Sequence, residues 1–191
     1  MCNAFNTARQ PDEVRLSSPP GQTRLVRRTD PAPVILPSGE VVMMRWGFQR
    51  KGLGPVNNTR SDKFDRPMWR EAIRERRCLI PLASYYEWSG PTGQKTTHLF
   101  HHPQDQWLVA GGLWEESHEF GPCFSMITTE AGPVTAPIHH RMPALLSTEA
   151  QETYLREGPD HFTPAEGPLV TRITANPLIK NPPSHIQDEL F

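Results

Sequence analysis

The sequence predicts an α+β domain dominated by strands, and three observations carry that expectation. Apolar and aromatic runs of strand length recur along the chain, among them VVMMRWGF and CLIPLASYYEW. Clusters of Gly, Pro and Asn separate these runs, and such residues set turns and interrupt regular elements. The 21 prolines among 191 residues favour short strands and extended connections over helices, and only two stretches read as helical.

Taken in order, residues 10–40 are rich in Pro, Ser and Arg and read as loop with short extended pieces. Residues 41–48 are apolar and aromatic and read as a strand. Residues 51–62 contain Gly52, Gly54, Pro55 and two asparagines, which predicts a loop. Residues 66–76 suit a helix with Pro67 in its first turn, where a missing N–H costs nothing. Residues 78–88 read as one strand, with Pro81 at its edge or start because proline cannot donate to a ladder. Residues 96–100, 107–114, 123–128 and 169–174 are further strands. Gly111 and Gly112 allow close backbone approach within the second of these. Ser147 is a helix cap before residues 148–156. Residues 176–191 read as an extended, Pro-rich tail. No repeat and no clear linker interrupts the chain, so a single domain over 1–191 is expected.

Composition excludes several classes. The mean hydropathy is −0.56, and no run approaches the roughly 18 to 20 apolar residues of a membrane span. No basic stretch followed by an apolar one opens the chain, which predicts a cytoplasmic, nucleoid-associated protein. Three cysteines, Cys2, Cys78 and Cys123, without CxxC spacing argue against a disulfide framework or a thiolate zinc site. Net charge is −1, yet residues 1–78 hold 15 Lys+Arg against 8 Asp+Glu, and residues 79–191 hold 5 against 13. A basic half can bind phosphates locally without a basic isoelectric point. The arginines from Arg70 to Arg77 read as the solvated face of a helix.

Four segments carry chemistry. In Met1-Cys2 the small second residue permits removal of Met1, which would leave an N-terminal aminothiol. Its amine and thiol titrate near 8 and 8.5 in reference peptides, so the pair can attack an aldehyde and close a thiazolidine. On position alone, a chance cysteine beside the start codon explains it better. Within Asn58-Thr59-Arg60-Ser61-Asp62, the amide can orient an amine or a sugar oxygen and the guanidinium can clamp a phosphate. The alternative is an Asn-rich turn with a solvated arginine, and taken alone the segment is weak evidence.

In Tyr85-Tyr86-Glu87-Trp88 a carboxylate lies among aromatics. If buried it should titrate high and suit proton transfer; an edge glutamate facing water is the even alternative. In His139-His140-Arg141-Met142-Pro143 a histidine is available near neutral pH. Adjacent histidines on a strand point to opposite faces, so one at most should face a given site; taken alone, the segment reads better as a pair of surface-loop histidines. A competing group, His98, His101 and His102, would suit a metal-dependent hydrolase, but Pro103 and Asp105 mark a turn, and a surface strand end is the preferred reading.

The ordered set resembles the SOS-response-associated peptidase (SRAP) family of abasic-site processing proteins. Its members are Met1-Cys2, Arg45-Trp46-Gly47, Asn58-Thr59-Arg60, Arg77-Cys78-Leu79-Ile80-Pro81 with Tyr86-Glu87-Trp88, Ala110-Gly111-Gly112-Leu113-Trp114, Thr128-Thr129-Glu130-Ala131 and His139-His140-Arg141-Met142-Pro143. The resemblance implies mixed sheets curled into a barrel-like core with a few flanking helices. It implies Cys2, Asn58, Glu87 and His139 as reactive residues, and Arg45, Trp46, Arg60, Thr128 and Arg141 as contacts to single-stranded DNA. It implies a monomer, without cofactor or metal, that links Cys2 covalently to an abasic-site aldehyde. An N-terminal-cysteine autopeptidase and a passive single-strand binder are the alternatives. The family's usual Met-Cys-Gly-Arg start is here Met1-Cys2-Asn3-Ala4, and its N-A-R-x-E is here Asn58 to Asp62.

Overall fold

The computed structural model describes residues 2–50, 52–158 and 167–179. In chain order its strands begin with β1 (Ala4–Ala8), β2 (Thr23–Arg27), β3 (Pro31–Ile35), β4 (Val41–Trp46), β5 (Phe48–Arg50), β6 (Leu53–Val56) and β7 (Asn58–Arg60). Helix α1 (Pro67–Glu75) follows, then β8 (Arg77–Leu82), β9 (Ser84–Ser89), β10 (Thr96–His101), β11 (Leu108–Ser117), β12 (Gly121–Glu130) and β13 (Arg141–Pro143). Helix α2 (Thr148–Glu157) and β14 (Val170–Thr174) complete the described elements.

One sheet closes on itself in the order β11-β8-β3-β4-β12, with β12 returning to β11. This is the barrel-like core expected. β7 and β13 add to β12, and β7 runs parallel to it with Asn58 opposite Met126 and Arg60 opposite Thr128. A second, five-stranded sheet runs β14-β10-β9-β1-β2, and β5 and β6 form a separate ribbon.

Period-two alternation sends barrel residues into two cores. Cys78, Ile80, Leu82, Ala110, Phe124 and Met126 join Phe5, Trp46, Tyr85 and Phe100 in one. Leu79, Val109, Leu113, Cys123 and Ile127 face outward and join Trp69, Ala72 and Tyr154 of the helices in the other. Gly112 lets the strands pack closely here: a Cβ would stand 2.7 Å from Ile80 Cδ1 and 3.1 Å from Cys78 Sγ, so those side chains would have to shift. The Tyr154 hydroxyl donates to its carbonyl at 2.6 Å.

Helix α1 starts at Pro67, as expected, and Ser147 caps α2 by accepting from the Ala150 N–H at 3.3 Å. Arg77 is not solvated as expected. It donates to Ile73 O at 2.7 Å and Leu155 O at 2.8 Å, joining the C-terminal carbonyls of both helices.

The short extended pieces expected within residues 10–40 are β2 and β3, which pair along their length with β1 and β4 despite the prolines. Three sequence expectations are corrected. The 41–48 run is two strands, broken at Gly47, whose φ of +131° and 3.0 Å approach to Pro55 Cβ exclude a side chain. Residues 51–62 are not a loop but carry β6 and β7. The 78–88 run is two strands in different sheets; the chain crosses at Ala83, whose N–H donates to Asn6 O at 2.8 Å. Pro81 lies within β8, opposite Val109, where β3 no longer pairs with the other side of the strand beyond Leu79. The tail expected over 176–191 lies outside the described residues from 180 onward.

Candidate active site

β9 places its side chains alternately. Tyr85 and Glu87 face the core, and Tyr86 and Trp88 stack on the opposite face with ring centroids 6.4 Å apart. Tyr85 stacks on Phe100 of β10 at 4.8 Å, and the same ladder sets His98 directly across from Glu87. Glu87 is 1% exposed, which decides between the two readings of this segment. Burial pushes its carboxyl up to about 7, the range in which a carboxylate exchanges protons at neutral pH.

Cys2 begins the same core. It is fully buried in this chain, which carries Met1, and its thiol donates to Ala4 O at 3.3 Å. Burial first, and then the nearby Glu87 charge, push the thiol well above its ordinary range, so it is protonated here. Asn58 reaches Cys2 from β7: its Nδ2 donates to the Cys2 carbonyl at 2.8 Å. The Asn58 Oδ1 atom is buried and has no hydrogen-bond partner among the described residues.

Asn57, which sequence reasoning missed, fixes this approach. Its Nδ2 donates to Trp46 O at 2.7 Å, and the Trp46 indole N–H donates back to Asn57 O at 2.8 Å. The doublet of asparagines was the available signal, since period two assigns neighbours opposite duties.

His139 follows a turn whose Thr135 carbonyl accepts the His139 N–H at 3.0 Å. The Thr135 hydroxyl meets the Tyr85 hydroxyl at 3.2 Å, so the turn is tied to β9 two residues before Glu87. The Arg141 N–H lies 3.0 Å from His139 Nδ1, and the Arg141 carbonyl lies 3.1 Å from the same nitrogen. A neutral ring protonated at Nε2 uses the first contact, and a ring protonated at Nδ1 uses the second. Partial burial lowers the imidazole below its ordinary range. His139 and His140 lie in a loop after the turn, as the segment taken alone suggests, so the opposite-face argument does not apply and their rings stack at 4.5 Å.

The expected DNA contacts fare differently. Trp46 is corrected. Its ring is 0% exposed, packed edge-on to Phe5 at 4.9 Å and stacked with Phe124 at 6.4 Å, so it offers no face to a nucleotide. Thr128 is 0% exposed and holds the guanidinium of Arg141, itself 3% exposed, through its carbonyl. Arg60 is exposed but bound bidentately by Asp62 at 2.7 and 3.0 Å, and Asp62 also meets Arg141 at 3.2 Å. Those contacts hold the Asp62 carboxyl down at about 2, the Arg60 hydrogen bond foremost. Arg60 and Arg141 line an open groove of about 420 Å³ with Glu130, Ala131, Ala136 and His140. Arg45 stands apart: it pairs with Cys123, three residues along β12 from Met126, and lies 4.2 Å over the Phe120 ring.

The competing histidines do not converge. His98 Nε2 meets Ser89 Oγ at 2.8 Å, His101 Nδ1 meets His102 O at 3.0 Å, and His102 Nδ1 accepts from Gln104 N–H at 3.1 Å. Among the described residues no group of three His, Cys, Asp or Glu side chains could hold a metal, and no helix is long and apolar enough to cross a membrane.

A curled β-barrel that buries an N-terminal cysteine against an asparagine and a glutamate defines a narrow class. The SRAP family, SOS response associated peptidase, matches residues 2–179, and the chain belongs to that family. Relatives include the abasic site processing protein YoaM of Bacillus subtilis, 27% identical over 124 residues, covering 59% of this chain and 55% of the relative. YobE of the same organism, also an abasic site processing protein, is 26% identical over 125 residues, covering 59% and 57%. The matched region thus spans little more than half of these relatives. Among solved structures, a Bordetella bronchiseptica protein superposes with a TM-score of 0.75 at 19% identity, covering 92% of this chain and all of that one. A Bacteroides thetaiotaomicron protein gives 0.69 at 24% identity, covering 80% and 78%. These two show the fold.

Proposed function

We propose that this chain processes abasic sites in single-stranded DNA by linking its N-terminal cysteine covalently to the lesion. The observation that carries the reading is the junction of Cys2, Asn58 and Glu87: an amide anchors the cysteine main chain beside a buried carboxyl that titrates near 7.

Removal of Met1 frees the Cys2 amine. Glu87 takes a proton from it, and the amine adds to the aldehyde carbon of the opened deoxyribose. The carbinolamine loses water to give an imine, with His139 protonating the departing oxygen. The Cys2 sulfur then adds to the imine carbon, its proton passes to the nitrogen, and a thiazolidine closes. The net change is one water lost. Asn58 Oδ1, buried and without a partner among the described residues, suits a hydrogen bond from the freed amine or a sugar hydroxyl. At the imine stage the same residues support strand cleavage of the lyase type. The test is incubation of the Met1-free protein with abasic single-stranded DNA, followed by denaturing electrophoresis. A denaturation-resistant band is expected with abasic and not with intact DNA, and its absence from folded protein would refute the proposal.

A further inference from the structure

The cations named by the family pattern are engaged within the protein: Arg60 is held by Asp62, Arg141 is buried on Thr128 and Asp62, and Arg45 donates to Gly47 O at 3.2 Å and lies over Phe120. A different arginine stands free beside the site. Arg28 is exposed, and among the described residues its only hydrogen bond runs from Nε to Asn57 Oδ1 at 3.1 Å. It makes no ion pair with a described residue, and four of its five N–H donors remain for a ligand.

Two separate constraints bring it there. The β1–β2 ladder ends with Ala4 opposite Arg27, so Arg28 directly follows a residue paired two positions from Cys2. From the other side Asn57, one residue from Asn58, orients the guanidinium and is itself locked to Trp46. The turn that delivers Arg28 is strained. Thr29 has φ +74°, an outlier for a β-branched residue. It is held by its N–H to Trp46 O at 2.9 Å and by the Trp46 N–H to Asp30 O at 2.9 Å. The Trp46 main chain therefore fixes both the turn and Asn57, and strain over-determined in this way is a mark of a built site.

We infer that Arg28 is a phosphate-binding residue of the site, taking the backbone phosphate that flanks the nucleotide delivered to Cys2. This rests on the DNA reading above. A planar guanidinium oriented through Nε leaves its Nη edge for a phosphate, the bidentate geometry that lysine lacks.

The test measures binding of fluorescent oligothymidylate, which has no lesion, across a salt titration. Wild type is compared with Arg28→Gln, Arg28→Lys and Arg74→Gln, the last an exposed arginine of α1 that pairs with Glu75. Arg28→Gln is expected to bind on the order of tenfold more weakly, with the log–log salt slope reduced by about 0.7, the value for one phosphate on a single strand. Arg28→Lys should keep the slope, and Arg74→Gln should match wild type. Equal affinity and slope in Arg28→Gln and wild type, or equal losses in Arg28→Gln and Arg74→Gln, would overturn the inference. Crosslinking to an abasic strand at saturating DNA, run in parallel, separates the two ideas: loss of oligothymidylate binding without any wild-type crosslink leaves Arg28 in place and removes the covalent mechanism.

Discussion

Replacing Glu87 with Gln should raise stability at alkaline pH while it removes the crosslinking chemistry. The folded carboxyl is raised from its ordinary 4.5 to about 7 by burial. A carboxyl raised on folding contributes stability that is complete below its unfolded value and is lost as pH rises through the folded one. The window here runs from about pH 4.5 to 7. At 1.36 kcal/mol per pH unit the span corresponds to about 3 kcal/mol, of which about 2 to 3 kcal/mol falls between pH 5 and pH 8. Urea denaturation of wild type and Glu87→Gln at those two pH values measures it, in protein retaining Met1 so that both chains match the structure. Wild type should lose that amount relative to the variant on going to pH 8. A stability difference independent of pH would refute the buried, high-titrating carboxyl and with it the proton-transfer role. In Met1-free protein the crosslinking rate should fall by about 10²–10⁴-fold in the variant.

Trp46→Ala should act on the fold. Removing a ring with no exposed surface that also bonds Asn57 should cost about 3–5 kcal/mol, read as a lowered urea midpoint; a stable variant with a selective loss of DNA affinity would restore the stacking role. His139→Ala should slow single-turnover crosslinking by about 10²–10⁴-fold with intact-DNA affinity retained. An unchanged rate would assign the imidazole to holding the Arg141 turn.

Much of the scaffold was legible because it rests on local signals. Pro67 and Ser147 mark helix starts through backbone donors alone, and the apolar runs of β10 to β12 are strands in either register. Errors came where a long-range pairing overruled local chemistry. The Gly- and Asn-rich stretch after Arg50 looks like loop, yet β12 offers a free edge that takes Asn58 to Arg60 as a parallel strand. The 78–88 run shows no break because β8 and β9 are each buried by a different sheet, and nothing local tells that Ala83 joins them.

At the site, the residue types of Cys2, Asn58 and Glu87 were readable and their convergence was not, since it depends on segments 29 to 85 residues apart meeting at one core. Trp46 was misjudged because a motif names residues, and burial decides which of them meet solvent. Arg28 lies in no motif. It is found only through the register of β1 with β2 and its bond to Asn57.

The central claim is that the amine and the thiol of one residue act together, and retention of Met1 tests it most directly. A peptide bond to Met1 turns the Cys2 amine into an amide, which forms no imine. Matched preparations with and without Met1, and a Cys2→Ser variant without it, are mixed with abasic single-stranded DNA and resolved under denaturing conditions. The account predicts a stable band only from Met1-free wild type, unchanged affinity for intact DNA in all three, and at most a borohydride-trapped imine from Cys2→Ser. A Met1-retaining chain that crosslinks as fast as the Met1-free one would contradict the aminothiol mechanism and place the nucleophile elsewhere in the protein.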